Sequence, residues 1–342
     1  MKTKRFRTKY PLADVVRENT VEELRRFCSR HTINVKKSSR KEVLVQAVAN
    51  YVLENTETIL SGLMIWDLEI VRDLVSIGPG KGLAAEPGAI SYAQISLFLL
   101  NAYDGKPGSR WFIMSDDLRE AIGSKAEELL ADEDYRKKSE MLQFLQGLKN
   151  IYGTVYTWDA RDDFERCYPE YKGNNEIWRE LMSSPNTLED IEIYRSDHNK
   201  GFLLSPMIDY LHPDVLDVLP TYEQQENSRK IFSRQEIIEA GNMPYPIFSC
   251  EAALRLKEHL RKEWEVNEPA YLENLLYFIF LEGQIVYNKP DKASQLADGY
   301  ETNDPKAKDK LIELIDNFVN STPCWALNGH SVNEVETVQE ES

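Results

Sequence analysis

Apolar residues recur with helical spacing in two neighbouring stretches near the N-terminus. The first stretch carries Val21, Leu24, Phe27 and Cys28, and the second carries Val43, Leu44, Ala47, Val48, Tyr51 and Val52. This spacing predicts two short helices that each bury one face. Because each apolar face needs a partner, we expect the two helices to pack on each other.

The starts of these two helices are predicted from a repeated polar motif. Thr20 with Glu23, and Ser39 with Glu42, fit the pattern S/T-x-x-E of a capping box. In this motif the hydroxyl of the first residue accepts from the backbone N–H of the glutamate, and the glutamate carboxylate accepts from the backbone N–H of the first residue. Between the helices, residues 31–37 (HTINVKK) alternate and include β-branched side chains, which favours an extended connector. The whole segment is therefore predicted to be helix, extended connector, helix.

Helical patterns continue along most of the remaining chain, with two interruptions that predict β-hairpins. In the first, a turn at Asp104–Gly105 precedes a strand at Trp111 to Met114 and a helix capped by Ser115. In the second, strands at Ile191 to Tyr194 and Phe202 to Leu204 flank a polar turn. A hairpin beside a helix resembles the wing of a winged-helix domain. The sequence predicts a mainly α protein with short β-hairpins (α+β), with winged-helix-like units as one interpretation.

The length of 342 residues exceeds what one ordinary core supports, so several units are expected. The predicted division is 1–56, 57–225, 226–335 and an acidic tail, 336–342. Residues 78–88 (GPGKGLAAEPG) are interpreted as a linker, because they lack the G-x-x-x-x-G-K-[ST] spacing of a phosphate loop. In the third segment a stripe of aromatic residues is interpreted as core: Tyr271, Tyr277, Phe278 and Phe280.

Charge is distributed unevenly along the chain. The net charge is −16, yet residues 1–45 carry thirteen Lys and Arg against five Asp and Glu, a net +8, which leaves −24 for the rest. Most of the surface should therefore repel a polyanion, and the N-terminal end alone should attract one.

Cysteine usage and hydropathy indicate the compartment. The four cysteines, Cys28, Cys167, Cys250 and Cys324, form no CxxC pair, which favours a reducing, cytoplasmic setting. No run of about 18 apolar residues is present, and the basic start lacks the apolar stretch of a signal peptide. A cytoplasmic protein without a membrane partner is expected.

Basic residues gather where the connector meets the second predicted helix: Lys36, Lys37, Arg40 and Lys41. Together with the helix–extended–helix pattern, they make this segment resemble the SAP and Rho N-terminal modules. The resemblance covers about 35 residues and implies contact with nucleic acid, in which Lys and Arg meet phosphates beside a helix N-terminus. Modules of this type also serve as protein contacts.

Catalytic chemistry has few signals in this sequence. The five histidines stand far apart, and no HExxH or CxxC pattern accompanies them. An acidic cluster lies near three aromatic residues and could hold a divalent cation: Asp159, Asp162, Asp163 and Glu165. It lacks the spacing of an EF-hand loop, so a solvated acidic helix start is the preferred interpretation. No catalytic residue, metal ligand or cofactor is predicted.

Residues 320–335 (NSTPCWALNGHSVNEV) place Cys324 and His330 close together. Two soft ligands fall short of the four in a closed zinc site, so no metal is predicted. The stretch resembles the segment before the zinc-binding tail of bacterial SEC-C-motif proteins, through Asn320, Trp325, Gly329, His330, Asn333 and Glu334. The sequence ends without that cysteine-rich tail, and the resemblance implies no activity.

The same stretch is predicted to close the fold. Asn328–Gly329 is typical of a turn, and Ser331 with Glu334 fits the capped start of a short final helix. Trp325 and Leu327 should then pack on the preceding helix through Phe318.

The function that these observations favour is non-enzymatic binding of nucleic acid through Lys36, Lys37, Arg40 and Lys41. One alternative is a protein-interaction scaffold in which the same end docks on an acidic partner. A second is a metal-dependent enzyme with its site at Asp159 to Glu165. Whether the chain forms a homo-oligomer is left open.

Overall fold

The computed structural model describes residues 3–6, 10–84, 97–103, 110–184, 202–204, 229–242, 250–264, 269–286, 289–302 and 304–335. They belong to two compact units, Met1–Glu140 and Met141–Ser342. This division differs from the boundaries predicted after residues 56 and 225, the second of which lies outside the described residues. The predicted fold class, mainly α with short β-hairpins, is confirmed.

The first unit combines short helices with a four-stranded sheet. Its described elements are β1 (Thr3–Arg5), α1 (Leu12–Val16), α2 (Val21–Arg30), α3 (Lys41–Glu54), α4 (Thr56–Ser61), α5 (Ile65–Ile77), β2 (Lys81–Ala84), β3 (Leu100–Tyr103), β4 (Arg110–Ile113), α6 (Asp116–Ile122), α7 (Lys125–Ala131) and α8 (Glu133–Tyr152), which contains the boundary between the units.

One of the two predicted capping boxes forms. The Thr20 N–H donates to the Glu23 carboxylate at 2.6 Å, and the Glu23 N–H donates to the Thr20 hydroxyl at 3.2 Å. The box predicted at Ser39 is wrong, because α3 begins at Lys41 after an Arg40 N-cap that makes no side-chain capping bond. The Glu42 carboxylate instead accepts from Arg17 Nε at 3.1 Å, a charge-assisted bond that competes with capping.

The buried face of α3 also differs from the predicted stripe. Val43 is 54% exposed, whereas Val45 and Ala49, which the stripe omitted, are buried with Leu44 and Val48. The reason is that α3 packs against α1, α2, α4 and α6, so its apolar face meets several neighbours. A single partner helix would have needed a narrower stripe.

The sheet has the strand order β1-β2-β4-β3, with every pair antiparallel. The antiparallel β3–β4 pairing confirms the strands of the first predicted hairpin, whose predicted turn at Asp104–Gly105 lies outside the described residues. The linker predicted over residues 78–88 is wrong for Lys81–Ala84, which forms an inner strand, and residues 85–88 lie outside the described residues. Gly80 has a φ of 66°, a left-handed conformation that glycine adopts without strain and that forms the turn before β2. A Cβ at Gly82 would lie 2.7 Å from the Phe6 ring, so glycine at this position lets the Phe6 side chain approach the strand closely.

Acidic residues of α6 hold the start of α1. The carboxylate of Asp117 accepts from the Leu12 N–H at 2.9 Å, which supplies a cap that Pro11 cannot provide. Asp116 exchanges backbone and side-chain bonds with Tyr10. Ser115 is the N-cap residue of α6 as predicted, but its side chain makes no capping bond.

The second unit is a helical assembly with one two-stranded sheet. Its described elements after α8 are β5 (Thr154–Tyr156), α9 (Thr157–Cys167), a 3-10 turn (Pro169–Tyr171), α10 (Asn175–Ser183), β6 (Phe202–Leu204), α11 (Arg234–Ala240), α12 (Glu251–Glu263), α13 (Pro269–Val286), α14 (Lys292–Ala297), α15 (Pro305–Ser321), a second 3-10 turn (Trp325–Leu327) and a short helix at 332–335.

The strand predicted at Phe202 to Leu204 is confirmed as β6, and it pairs antiparallel with β5. Its predicted hairpin partner, Ile191 to Tyr194, lies outside the described residues. β5 itself had no sequence prediction. Three residues are too short a stretch for a period of two to be recognised.

Two glycines let α8 and α11 approach at backbone distance. A Cβ on Gly147 would lie 1.8 Å from the Ile237 carbonyl oxygen, and one on Gly241 would lie 2.0 Å from the Gln143 carbonyl oxygen. Next to this crossing, the buried Asn150 side chain donates to the Ala240 carbonyl at 2.7 Å. The two glycines and the Asn150 hydrogen bond therefore hold α11 directly against the backbone of α8, with no large side chain between the helices.

The C-terminal stretch packs into the core of the second unit, where the Trp325 ring meets the Phe280 ring of α13; the predicted packing of Trp325 and Leu327 through Phe318 stays a prediction. Asn328 and Gly329 have positive φ values of 57° and 82°, which form the expected turn. Ser331 and Glu334 form the expected capping box, with distances of 2.9 and 3.3 Å. Trp325 is 1% exposed and donates its indole N–H to the Asn150 carbonyl at 3.1 Å.

The aromatic stripe of α13, predicted to be core, is only partly buried. Phe280 is buried, whereas Tyr271 and Phe278 are 53% and 55% exposed. The prediction was wrong for these two residues, because hydrophobic spacing identifies a face without showing that a neighbour covers it. Within the described residues, every helix is too short or too polar to cross a bilayer.

Candidate nucleic-acid interface

The candidate interface lies where α2, its connector and α3 meet in the first unit. Phe27 lies near the end of α2, and the centroid of its ring is 4.2 Å from that of the His31 ring and 5.1 Å from that of the Phe98 ring. The Tyr51 hydroxyl of α3 lies 3.3 Å from His31 Nδ1. His31 is the C-cap residue of α2, so this aromatic cluster fixes the point at which the connector leaves the helix.

The connector is non-helical, in agreement with the prediction, but it is not extended throughout. Thr32 has a φ of 54°, which turns the chain out of α2, and the Ile33 N–H donates back to the Cys28 carbonyl at 2.8 Å. A tighter turn follows, in which the Ser39 N–H donates to the Lys36 carbonyl at 2.9 Å. The turn places the four predicted basic residues within six positions of one another, directly before and at the start of α3.

Three of the four predicted basic residues face solvent. Lys36, Lys37 and Arg40 are exposed, and among the described residues none of them forms an ion pair or a side-chain hydrogen bond. Lys41 is half-buried and interacts electrostatically with Glu23. Among the described residues, Lys36, Lys37 and Arg40 are therefore available to an external anion, whereas the charge of Lys41 is partly offset by Glu23.

The carboxylates near the connector are occupied by other groups. Hydrogen bonds from the Thr20 backbone and hydroxyl lower the pKa of Glu23. The Glu42 and Asp14 carboxylates both bind Arg17, and these bonds raise the pKa of its guanidinium. Glu42 is paired with Arg17, whereas Glu23 keeps its charge near Lys41. Lys36, Lys37 and Arg40 are therefore the cations of the turn that form no ion pair among the described residues.

The start of α3 adds backbone donors to this positive surface. Its first bonded N–H groups are those of Val43 and Leu44, which donate to the Arg40 carbonyl. The N–H groups of the preceding residues belong to the unpaired first turn of a 14-residue helix, whose dipole is positive at this end. An anion at this position would meet lysine, arginine and amide donors together.

The acidic alternative site in the second unit is an ion-pair cluster. On α9, Asp163 is 12% exposed and binds Arg166 at 2.8 Å and Arg229 at 2.6 Å. Glu165 binds Arg161 at 2.8 Å, and that bond lowers its pKa. The interpretation as a solvated helix start is wrong for Asp163, because sequence spacing gives no sign that Arg229 lies across from it. Within the described residues, no group of three or more His, Cys, Asp or Glu could hold a metal ion.

Two of the histidines and one cysteine have defined partners or surroundings in the second unit. His259 Nε2 lies 3.1 Å from the Ala307 carbonyl, and His330 Nδ1 lies 3.8 Å from the Glu334 carboxylate. Cys324 is buried, and burial raises the pKa of its thiol to about 11. His198 and His212 lie outside the described residues.

Comparison with known proteins finds no family model, no curated protein and no solved structure that matches this chain. The likeness to SAP, Rho N-terminal and SEC-C-associated segments therefore stays a prediction that depends on the residues quoted for it, as does the winged-helix interpretation.

Proposed function

We propose that this protein binds nucleic acid in the cytoplasm through the basic turn, defined as Lys36, Lys37, Arg40 and Lys41. The observation that supports this proposal best is the exposure of the first three side chains together with their lack of a carboxylate partner among the described residues. Exposed cations without partners are expected to pair with phosphates, because counterion release favours that exchange.

The distribution of charge supports a localised contact. The basic turn lies within the 45-residue segment of net +8, while the remaining chain carries −24. A nucleic acid is therefore held at one end and repelled along most of the remaining surface. Four cations supply affinity and position, but they carry no code for base identity, so binding is expected to depend little on sequence.

The experiment uses the full chain and a labelled mixed-sequence oligonucleotide, offered as single strand and as duplex at low salt. Fluorescence anisotropy gives the Kd of the native protein and of the combined variant Lys36→Glu, Lys37→Glu and Arg40→Glu. The matched control is Arg179→Glu, Lys289→Glu and Lys306→Glu. It changes the net charge equally, at residues that are exposed in the second unit.

We expect the basic-turn variant to lose most of its affinity and the control variant to retain most of it. Equal losses in both variants would mean that net charge alone governs binding, and the assignment to this turn would be wrong. Absence of binding by the native protein would favour the scaffold alternative. In that case an acidic protein partner should remain bound after nuclease treatment and be lost in the basic-turn variant.

A further inference from the structure

An open groove lies on the second unit beside α13 and α14, and it encloses about 710 Å³. This volume falls within the range of about 300–1,000 Å³ that is typical of ligand pockets. Six of its lining residues determine its chemistry, four aromatic and two acidic: Trp264, Tyr271, Phe278, Tyr300, Glu282 and Glu301.

One wall of the groove is a single face of α13. Tyr271, Leu275, Phe278 and Glu282 follow one another at spacings of four, three and four residues, so they line one side of the helix. Tyr271 and Phe278 are 53% and 55% exposed. Two large aromatic rings left in solvent on the same face are unusual for a surface without a binding role.

The Trp264 and Tyr300 rings of the groove are held in place by contacts with each other and with neighbouring residues. The Trp264 indole N–H donates to the Glu301 carbonyl at 3.1 Å. The His259 ring packs against this indole, with 5.5 Å between the ring centroids. The Tyr300 ring meets Trp264 edge-on at 6.4 Å. Trp264 and Tyr300 are therefore fixed before any ligand arrives, which lowers the entropy lost on binding.

The charge of the groove selects the ligand. Glu282 and Glu301 line it, and no Lys, Arg or His stands among its described lining residues. Lys308, which lies nearby, donates to the carbonyls of Ala297 and Tyr300 and is not part of the lining. Aromatic faces carry negative electrostatic potential, and the two carboxylates add to it. The groove is thus complementary to a cation that also tolerates apolar contact.

We propose that this groove binds the guanidinium group of an arginine in a partner peptide. A guanidinium is planar, stacks on aromatic rings and is more weakly hydrated than an ammonium, so it loses less on entering an aromatic site. It can also form paired hydrogen bonds with a carboxylate such as that of Glu282. The volume leaves space for residues beside the arginine, which fits a peptide better than a free amino acid.

The test compares two short peptides that differ only at one residue, arginine or its neutral isostere citrulline. Binding to the full chain is measured by saturation-transfer NMR. The groove variants are Tyr271→Leu and Phe278→Leu, which keep apolar bulk and remove the ring. The matched control is Leu254→Ala, at a residue of α12 that is also 53% exposed. Far-UV circular dichroism and the urea midpoint verify that each variant is folded.

We expect the arginine peptide to bind more tightly than the citrulline peptide. Each ring removal should weaken it about two- to fivefold, the effect of one exposed cation–π contact, and the control should not change it. The proposal is wrong if both peptides bind equally, if the native protein binds neither, or if the control weakens binding as much as the groove variants. It is also wrong if arginine has no effect and the groove variants lower the mass in sedimentation equilibrium, because the groove would then join two copies of the chain.

Discussion

Replacing Gly147 with alanine tests the helix crossing on which the core of the second unit depends. Considered as a helix residue alone, the substitution should stabilise the protein by about 1 kcal/mol, because alanine has the higher helix propensity. The structure predicts the opposite sign, since the added Cβ would lie 1.8 Å from the Ile237 carbonyl oxygen. The two arguments therefore give contradictory expectations for one methyl group.

The magnitude follows from the movement that the methyl group requires. Ordinary contact distances can be restored only if α11 moves from α8 by about 1.5 Å. That movement would break the bonds from Asn150 to the Ala240 carbonyl, 2.7 Å, and from Gln143 to the Ile238 carbonyl, 2.9 Å. Overpacking costs about 1–3 kcal/mol, and each lost bond about 1 kcal/mol. After the gain in propensity, a net loss of about 2–4 kcal/mol is expected.

The assay is urea unfolding of the full chain, followed by tryptophan fluorescence and circular dichroism. The control is Gly299→Ala, where an added Cβ would meet nothing within 4 Å. That control should change the free energy of unfolding by less than about 1 kcal/mol. If Gly147→Ala leaves the protein as stable as the native chain or makes it more stable, the close crossing of α8 and α11 is refuted.

Three further predictions concern caps, pH and thiols. Thr20→Ala should lower the free energy of unfolding by about 0.5–2 kcal/mol, whereas Ser39→Ala should leave it nearly unchanged, and urea titration compares them. Hydrogen bonds from Thr20 hold the pKa of Glu23 below its ordinary value, so this group stabilises the fold above the ordinary Glu pKa. That contribution disappears as the pH falls through the folded-state pKa. Glu23→Gln should therefore destabilise the protein at neutral pH and be equivalent to the native protein in acid. Burial raises the pKa of Cys324 to about 11, so alkylation of the folded protein, read by mass spectrometry, should label Cys250 before Cys324. Prior labelling of Cys324 would show that its burial is wrong.

Local patterns predicted local structure well. The Thr20 and Ser331 capping boxes, the Asn328–Gly329 turn and the strand pairing of the first hairpin each depend on residues close in sequence, and each forms. The mainly α class follows from summing such local signals along the chain. The Ser39 box satisfies the same motif but fails, because Arg17, 25 residues away from Glu42, binds the carboxylate that the motif needs.

Features that depend on long-range contacts could not be predicted. The inner strand Lys81–Ala84 lies in a stretch whose Gly and Pro residues predict a linker, and it exists because β1 and β4 pair with it on both sides. The exposure of Tyr271 and Phe278 likewise depends on which elements fail to cover α13, and no periodicity reports that. The pairing of Asp163 with Arg229 joins residues 66 positions apart in sequence.

Sequence spacing identified the basic turn, and only the structure separated its members. Lys36, Lys37 and Arg40 are exposed, whereas Lys41 is half-buried near Glu23. This difference depends on how α2 and α3 pack, which no property of the four residues encodes. Because Lys41 is less available than the other three residues, we expect three to four phosphate contacts instead of four.

The salt dependence of nucleic-acid binding tests the central proposal most directly. Each neutralised phosphate contributes about −0.9 to the slope of log K against log salt. Three to four contacts therefore predict a slope between about −2.7 and −3.6 for the native protein with duplex DNA. The combined variant Lys36→Glu, Lys37→Glu and Arg40→Glu keeps at most the Lys41 contact, so its slope should lie between about −0.9 and zero, while the second-unit control should keep the native value. Native binding with no salt dependence, or an unchanged slope in the basic-turn variant, would contradict the account.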